Sequence, residues 1–122
     1  MFKISIITIS YNAESTIEKT LKSIESQSYD NIEHIIVDGG SQDNTLEICN
    51  LFPHVFKILS EPDNGVYDAF NKGIKLATGD VIGFLNADDT FYNENSIQDI
   101  VDAFSNNETD IVYGNLDYVN EE

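Results

Sequence analysis

The sequence predicts an α/β fold, an open and mostly parallel sheet with helices on both faces. Three observations predict it. Short β-branched runs recur along the chain, each ending in polar or acidic residues, and segments of helical period lie between them. Val81, Ile82, Gly83, Phe84 and Leu85 form an uncharged run that reads as a strand buried on both faces. That run passes straight into Asn86, Ala87, Asp88 and Asp89, two adjacent carboxylates where open α/β sheets place their ligands.

The elements follow in order. Residues 4–9 are β-branched except at Ser5 and read as a central strand, closed by the polar Ser10, Tyr11 and Asn12. Ser15 and Glu18 have the spacing of a capping box, and Ile17, Leu21 and Ile24 make one apolar face of a helix ending near Ser28. A second strand over residues 34–37, with His34 on its surface, ends in Asp38, Gly39, Gly40 and Ser41. There an acid and a tight turn let backbone approach a ligand. On this pattern alone an Asx turn is the favoured reading of Asp38.

Asn44 with Glu47 starts a second helix whose inner face is Leu46, Cys49 and Phe52, stopped by Pro53. Residues 55–59 form a third strand, at an edge because Lys57 interrupts it. After a loop of turn formers, Glu61 to Gly65, a helix over residues 66–77 carries Phe70, Ile74 and Ala77 on one face. Gly73 inside it marks close packing or a nearby ligand. Beyond the organising strand, Ser96 opens a helix with Ile97, Ile100, Val101 and Phe104 inward. Residues 110–114 read as a further strand.

Composition narrows the function. The 122 residues suit one domain, residues 1–122, and 41% apolar content supports a packed core. Six basic residues stand against 22 acidic, a net charge of −16, which argues against nucleic acid and anionic membrane surfaces as partners. Any phosphate-bearing ligand then needs a metal ion or well-placed amides. The single Cys49 has no internal disulfide partner and fits a reducing cytoplasm, as a small core residue. No segment reads as a membrane span or signal peptide.

Two carboxylates side by side repel, and a cation shared with a ligand relieves them, so Asp88 and Asp89 are candidate ligands for Mg²⁺ or Mn²⁺. By itself Asp-Asp-Thr also opens a turn. Lys72 is one of few basic residues and a candidate to meet phosphate, although a solvated helix face explains it too. Neither a dinucleotide-binding glycine pattern nor a P-loop is present.

Taken together, these residues resemble the N-terminal half of a family 2 glycosyltransferase with the GT-A fold. The matching pieces are residues 5–12, Ile36 to Thr45, Glu61 to Gly65, Asp68 to Ile74 and Phe84 to Asp89. The resemblance implies metal-dependent, inverting transfer of a sugar from a UDP- or GDP-linked donor to an acceptor hydroxyl on a sugar or lipid-linked molecule. The setting it implies is bacterial surface polysaccharide synthesis, in the cytoplasm or peripheral to the inner face of the membrane.

It also implies roles for residues. Tyr11 would line the base pocket, Asp38 would bind base or ribose, and Lys72 and Asp88 would complete the donor site. Asp88 and Asp89 would hold Mn²⁺ or Mg²⁺ against the diphosphate. The chain departs from the family where Gly39 replaces a second acid and where Asn86 leads the acidic motif. Family members run longer, so the acceptor site and catalytic base are expected beyond Glu122, and the chain is expected to be a donor-binding half. Other classes are a nucleotidyltransferase, which would carry a Gly-rich basic loop after the first strand, and a non-catalytic acidic binding module.

Overall fold

The structure is a computed structural model that describes residues 2–107. The strand expected at 110–114 and the polar residues 115–122 lie outside the described residues. The chain alternates β1 (Ile4–Ser10), α1 (Ile17–Glu25), β2 (Ile32–Asp38), α2 (Thr45–Cys49), β3 (Val55–Ser60), α3 (Val66–Leu76), β4 (Val81–Phe84) and α4 (Ser96–Asn107). The four strands pair in parallel in the order β3-β2-β1-β4. Helices cover both faces, as the alternation predicts. Ile4 and Ile6 of β1 pack with Ile24 of α1 and with Ile97 and Val101 of α4. Ile36 packs with Leu21 and Cys49 on the same side. Ile7, Ile35 and Val37 point the other way, onto Ala69 of α3. Each fully buried Ile or Leu contributes about 1.5–3 kcal/mol, so this double-sided core drives the fold.

Several local expectations are corrected. Ser15 and Glu18 form no capping box: Thr16 is the N-cap of α1, without a side-chain bond, and the helix ends at Glu25. Glu18 instead pairs with Lys22 at 3.0 Å on the exposed face. Asn44 does not cap α2 with its side chain either. Asp43 takes that part, accepting the Thr45 amide at 3.0 Å. The inner face of α2 is Thr45 and Cys49, with Leu46 and Phe52 half-buried.

In α3 the buried residues are Ala69 and Gly73, while Ile74 is 44% exposed. A Cβ at Gly73 would stand 2.5 Å from Ile7 Cγ2, so its bare backbone lets α3 lie directly on β1. β3 is an edge strand, as its lysine suggests. β4 is not buried on both faces: among the described residues it pairs with β1 alone, and Ile82 is 38% exposed.

The sheet also buries polar side chains, among them His34 and Glu33. His34 is not on the strand surface. Its Nε2 meets Thr8 Oγ1 at 2.7 Å and its Nδ1 meets His54 Nε2 at 3.1 Å, the rings stacked. Burial, with His54 beside it, pushes His34 down to about 3, so it is neutral. Glu33 accepts hydrogen bonds from Ser5 Oγ, Thr78 N and Thr78 Oγ1 and pairs with Lys3. Burial works to raise its carboxyl, but these partners outweigh burial and hold it at about 2. Glu33 thereby pins the α3–β4 turn to β1 and β2, fixing where β4 starts.

Candidate functional site

Parallel register brings three strand ends to one edge. Ser10 of β1 is paired with Asp38 of β2, and Asp38 with Ser60 of β3. Ser10 and Asp38 are buried, Asp38 fully, while Ser60 is exposed at the edge strand and turns its hydroxyl to Asp38. Its Oδ1 accepts from Ser10 Oγ at 2.7 Å and Ser41 Oγ at 2.6 Å. Its Oδ2 accepts from Gly40 N at 3.0 Å, Ser41 N at 2.7 Å and Ser60 Oγ at 2.9 Å. Burial raises the carboxyl, and hydrogen bonds from Ser41, Ser10 and Ser60 overcome it, leaving Asp38 ionised below the usual carboxylate range. The turn that delivers the Gly40 and Ser41 amides needs Gly40 at φ 90°, where a side chain is strained.

Ser41 passes this order onward. Its Oγ, donating to Asp38, accepts the Asn12 amide at 2.7 Å, and Asn12 Oδ1 accepts the Gln42 amide at 2.8 Å. Ala13 N donates to Thr45 Oγ1 and Asn44 N to Glu14 Oε1. The loops after β1 and β2 are thus stitched together, with Asn12 held in the left-handed region at φ 48°. Tyr11, on the outside of this turn, is 60% exposed.

Beside it opens a cleft of about 460 Å³. It is walled by Ile9, Tyr11 and Asn12 from the end of β1, Val66 and Phe70 from α3, and Asn86 and Asp88 after β4. β1 pairs with β2 on one side and β4 on the other, so this is the switch point where an open sheet forms its ligand crevice. A larger hollow of about 790 Å³, lined by Phe2, Tyr29, Asp30 and Asp80, lies at the opposite edge and holds none of the expected site residues.

The adjacent carboxylates part company. Asp88 is exposed on the cleft wall, whereas Asp89 is only 7% exposed. Thr20 of α1 fixes both their positions, its Oγ1 lying 3.0 Å from Ala87 O and 2.6 Å from Asp89 O. The one visible sign of Thr20 in the sequence is a hydroxyl on an otherwise apolar helix face. Among the described residues no three acids, histidines or cysteines gather as a metal cage. Asp88 and Asn86 still offer hard oxygen donors at the cleft wall, a set that suits Mg²⁺ or Mn²⁺ when a ligand's phosphates complete the shell.

Lys72 does not line the cleft. Its Nζ lies 3.0 Å from Glu61 and 3.3 Å from Asp68 and donates to Pro62 O at 3.1 Å. It braces the loop before α3, and the Glu61 bond heads the interactions that raise its pKa. That loop carries Asp63, which the sequence alone gives no reason to single out. Cys49 is buried, and burial together with the Asp38 charge pushes its thiol up to about 11, which makes it a core residue.

Comparisons with known proteins point to one family and one fold. The model of the family described as "Glycosyl transferase family 2" matches residues 5–122. An uncharacterised glycosyltransferase of Mycobacterium tuberculosis is 40% identical over 104 residues, 84% of this chain and 40% of the relative. A PGL/p-HBAD biosynthesis glycosyltransferase of Mycobacterium bovis is 39% identical over 121 residues, 95% of this chain and 46% of the relative. The chain thus spans less than half the length of these relatives.

Among solved structures, S. aureus TarS 1-349 with UDP-GlcNAc superposes with a TM-score of 0.82 at 25% identity, over 87% of this chain and 32% of that one. A mannosyltransferase from Pyrobaculum calidifontis with GDP-Man and Mn²⁺ gives 0.79 at 23% identity, over 85% of this chain and 32% of that one. The parallel sheet, its cleft at the switch point and these likenesses agree on the GT-A fold, and the chain belongs to glycosyl transferase family 2.

Proposed function

We propose that this chain binds the nucleotide diphosphate sugar for an inverting, metal-dependent transfer to an acceptor hydroxyl, in the synthesis of a bacterial surface polysaccharide or glycolipid. The single observation that carries this reading is the cleft at the switch point, with Tyr11 on one wall and Asp88 on the other. Relatives named for PGL/p-HBAD biosynthesis, and structures holding UDP-GlcNAc or GDP-Man, support it. Tyr11 packs against the base. Asp38, enclosed by its serines, serves the donor by holding the turn that presents Tyr11 and Asn12. Lys72 braces the loop at the base end.

Asp88, with Asn86 beside it, holds Mn²⁺ or Mg²⁺, and Asp89 adds its charge within the same turn. When bound, the ion supplies Lewis acidity to the departing diphosphate. No cleft residue is assigned as the acceptor's base. No helix among the described residues is long and apolar enough to cross a membrane, and we place the protein in the cytoplasm, reaching lipid-linked acceptors peripherally.

Calorimetry with GDP and UDP tests the site. In Mn²⁺ at least one should bind, and EDTA should remove most of that affinity, because the diphosphate otherwise meets a chain of net charge −16. Asp88→Asn should mimic EDTA. Equal affinity with and without the ion would overturn the metal assignment, and no binding of either nucleotide would overturn the site.

A further inference from the structure

We propose that Asp63 reads the hydrogen-bonding edge of the donor's base and selects guanine, so that the ligand is a guanosine diphosphate sugar; this rests on reading the cleft as a nucleotide-sugar site. A Cβ at Gly39 would sit 3.0 Å from Asp63 Oδ2 and 3.5 Å from Tyr11 Cδ1. The carboxylate and the aromatic ring therefore both close on the bare Gly39 backbone at the β2 end, where a side chain at residue 39 would crowd the carboxylate. Asp38 does not face this spot as an acceptor, since both its oxygens are enclosed by five internal donors.

Asp63 is only half-buried, and its one hydrogen bond among the described residues comes from Gly65 N to Oδ1 at 3.3 Å. Its loop is held in place at both ends. Glu61 N donates to Asp38 O at 3.0 Å, Lys72 binds Glu61 and Pro62, and Asn64 N donates to Asp68 at 2.9 Å.

A base lying on the Tyr11 ring brings its edge to this carboxylate, the usual way an unpaired base is stacked and read. A carboxylate has two acceptor oxygens and no donor. Guanine offers two adjacent donors, N1–H and the 2-amino group, and so makes two parallel charge-assisted bonds. Uracil offers one N–H between two carbonyls, which sets the second carboxylate oxygen against a carbonyl. Adenine and cytosine present an unprotonated ring nitrogen there. A site built around donors on its ligand penalises analogues lacking them.

Calorimetry of the chain in Mn²⁺ with GDP, IDP and UDP tests this, because IDP differs from GDP only by the 2-amino group. GDP should bind at least about tenfold tighter than either. Asp63→Asn should bring GDP down to the level of IDP without lowering the melting temperature. UDP or IDP equal to GDP in the unmodified chain would overturn the proposal while leaving the nucleotide site standing. Failure of all three to bind would overturn the site reading as well.

Discussion

Ser10 and Asp38 are the last register pair of β1 and β2, and the Ser10 hydroxyl donates to Asp38 Oδ1 at 2.7 Å in a fully buried position. The pair ties the sheet to the loops that form the cleft. Asp38→Asn puts an amide donor against the Gly40 and Ser41 amides or the serine hydroxyls. It should cost about 2–4 kcal/mol, as buried hydrogen-bonded charges do when one partner changes. Urea unfolding should show a lower midpoint with an unchanged slope.

Stability should fall in acid in two steps. Unfolded His34 takes a proton below its ordinary 6.5, whereas the folded side chain resists until about 3. The unfolded state therefore binds more protons in that window, and stability that is complete above 6.5 drains away as pH falls towards 3. Glu33, ordinarily 4.5 and held at about 2, adds a second loss between those values. The loss from His34 is on the order of a few kcal/mol. Thermal melts from pH 7.5 to 4.5 should show it, and His34→Gln should flatten the slope.

Gly73→Ala gains helix propensity of about 1 kcal/mol but drives a methyl into Ile7, whose Cγ2 would be 2.5 Å away. Overpacking of this kind costs about 1–3 kcal/mol, so the clash should win and the melting temperature should drop. A rise would show that α3 can lift off β1.

Thr20→Val keeps the shape and removes the hydroxyl that holds the Ala87 and Asp89 carbonyls. The two carbonyls lose the single hydroxyl hydrogen they share, at a cost of about 1–3 kcal/mol. Mn²⁺-dependent nucleotide affinity should weaken with it, because the turn carrying Asp88 loosens. Calorimetry beside thermal melts separates the two effects.

Tyr11→Ala should leave the melting temperature nearly unchanged, since the ring is 60% exposed. Nucleotide diphosphate binding should weaken by about 1–3 kcal/mol, the worth of one base stacked on an aromatic ring. An unchanged affinity would remove Tyr11 from the base pocket.

The sequence by itself determined the alternation of strands and helices, the parallel sheet and the placing of Asp38 and Asp88 at strand ends. Those features are local: periodicity tells which residues face the core, and an acid after an apolar run marks where a strand stops. Gly73, costly inside a helix, was legible as close packing or a nearby ligand, and the structure shows the packing. Only the tertiary structure decided the partners. Ser15 and Glu18 have capping spacing, yet the Ala13 carbonyl takes the first amides of α1 and Glu18 pairs outward with Lys22. His34 reads as surface, but parallel register sets it on the same face as Thr8, beneath His54. Ser10, Ser41 and Ser60 close around Asp38, and Thr20 reaches Asp89, because register and helix docking bring them together. Ser41 reaches Asp38 through the local Asx turn its spacing allows, but the other contacts join residues that no local pattern relates, and the packed sheet sets their energies.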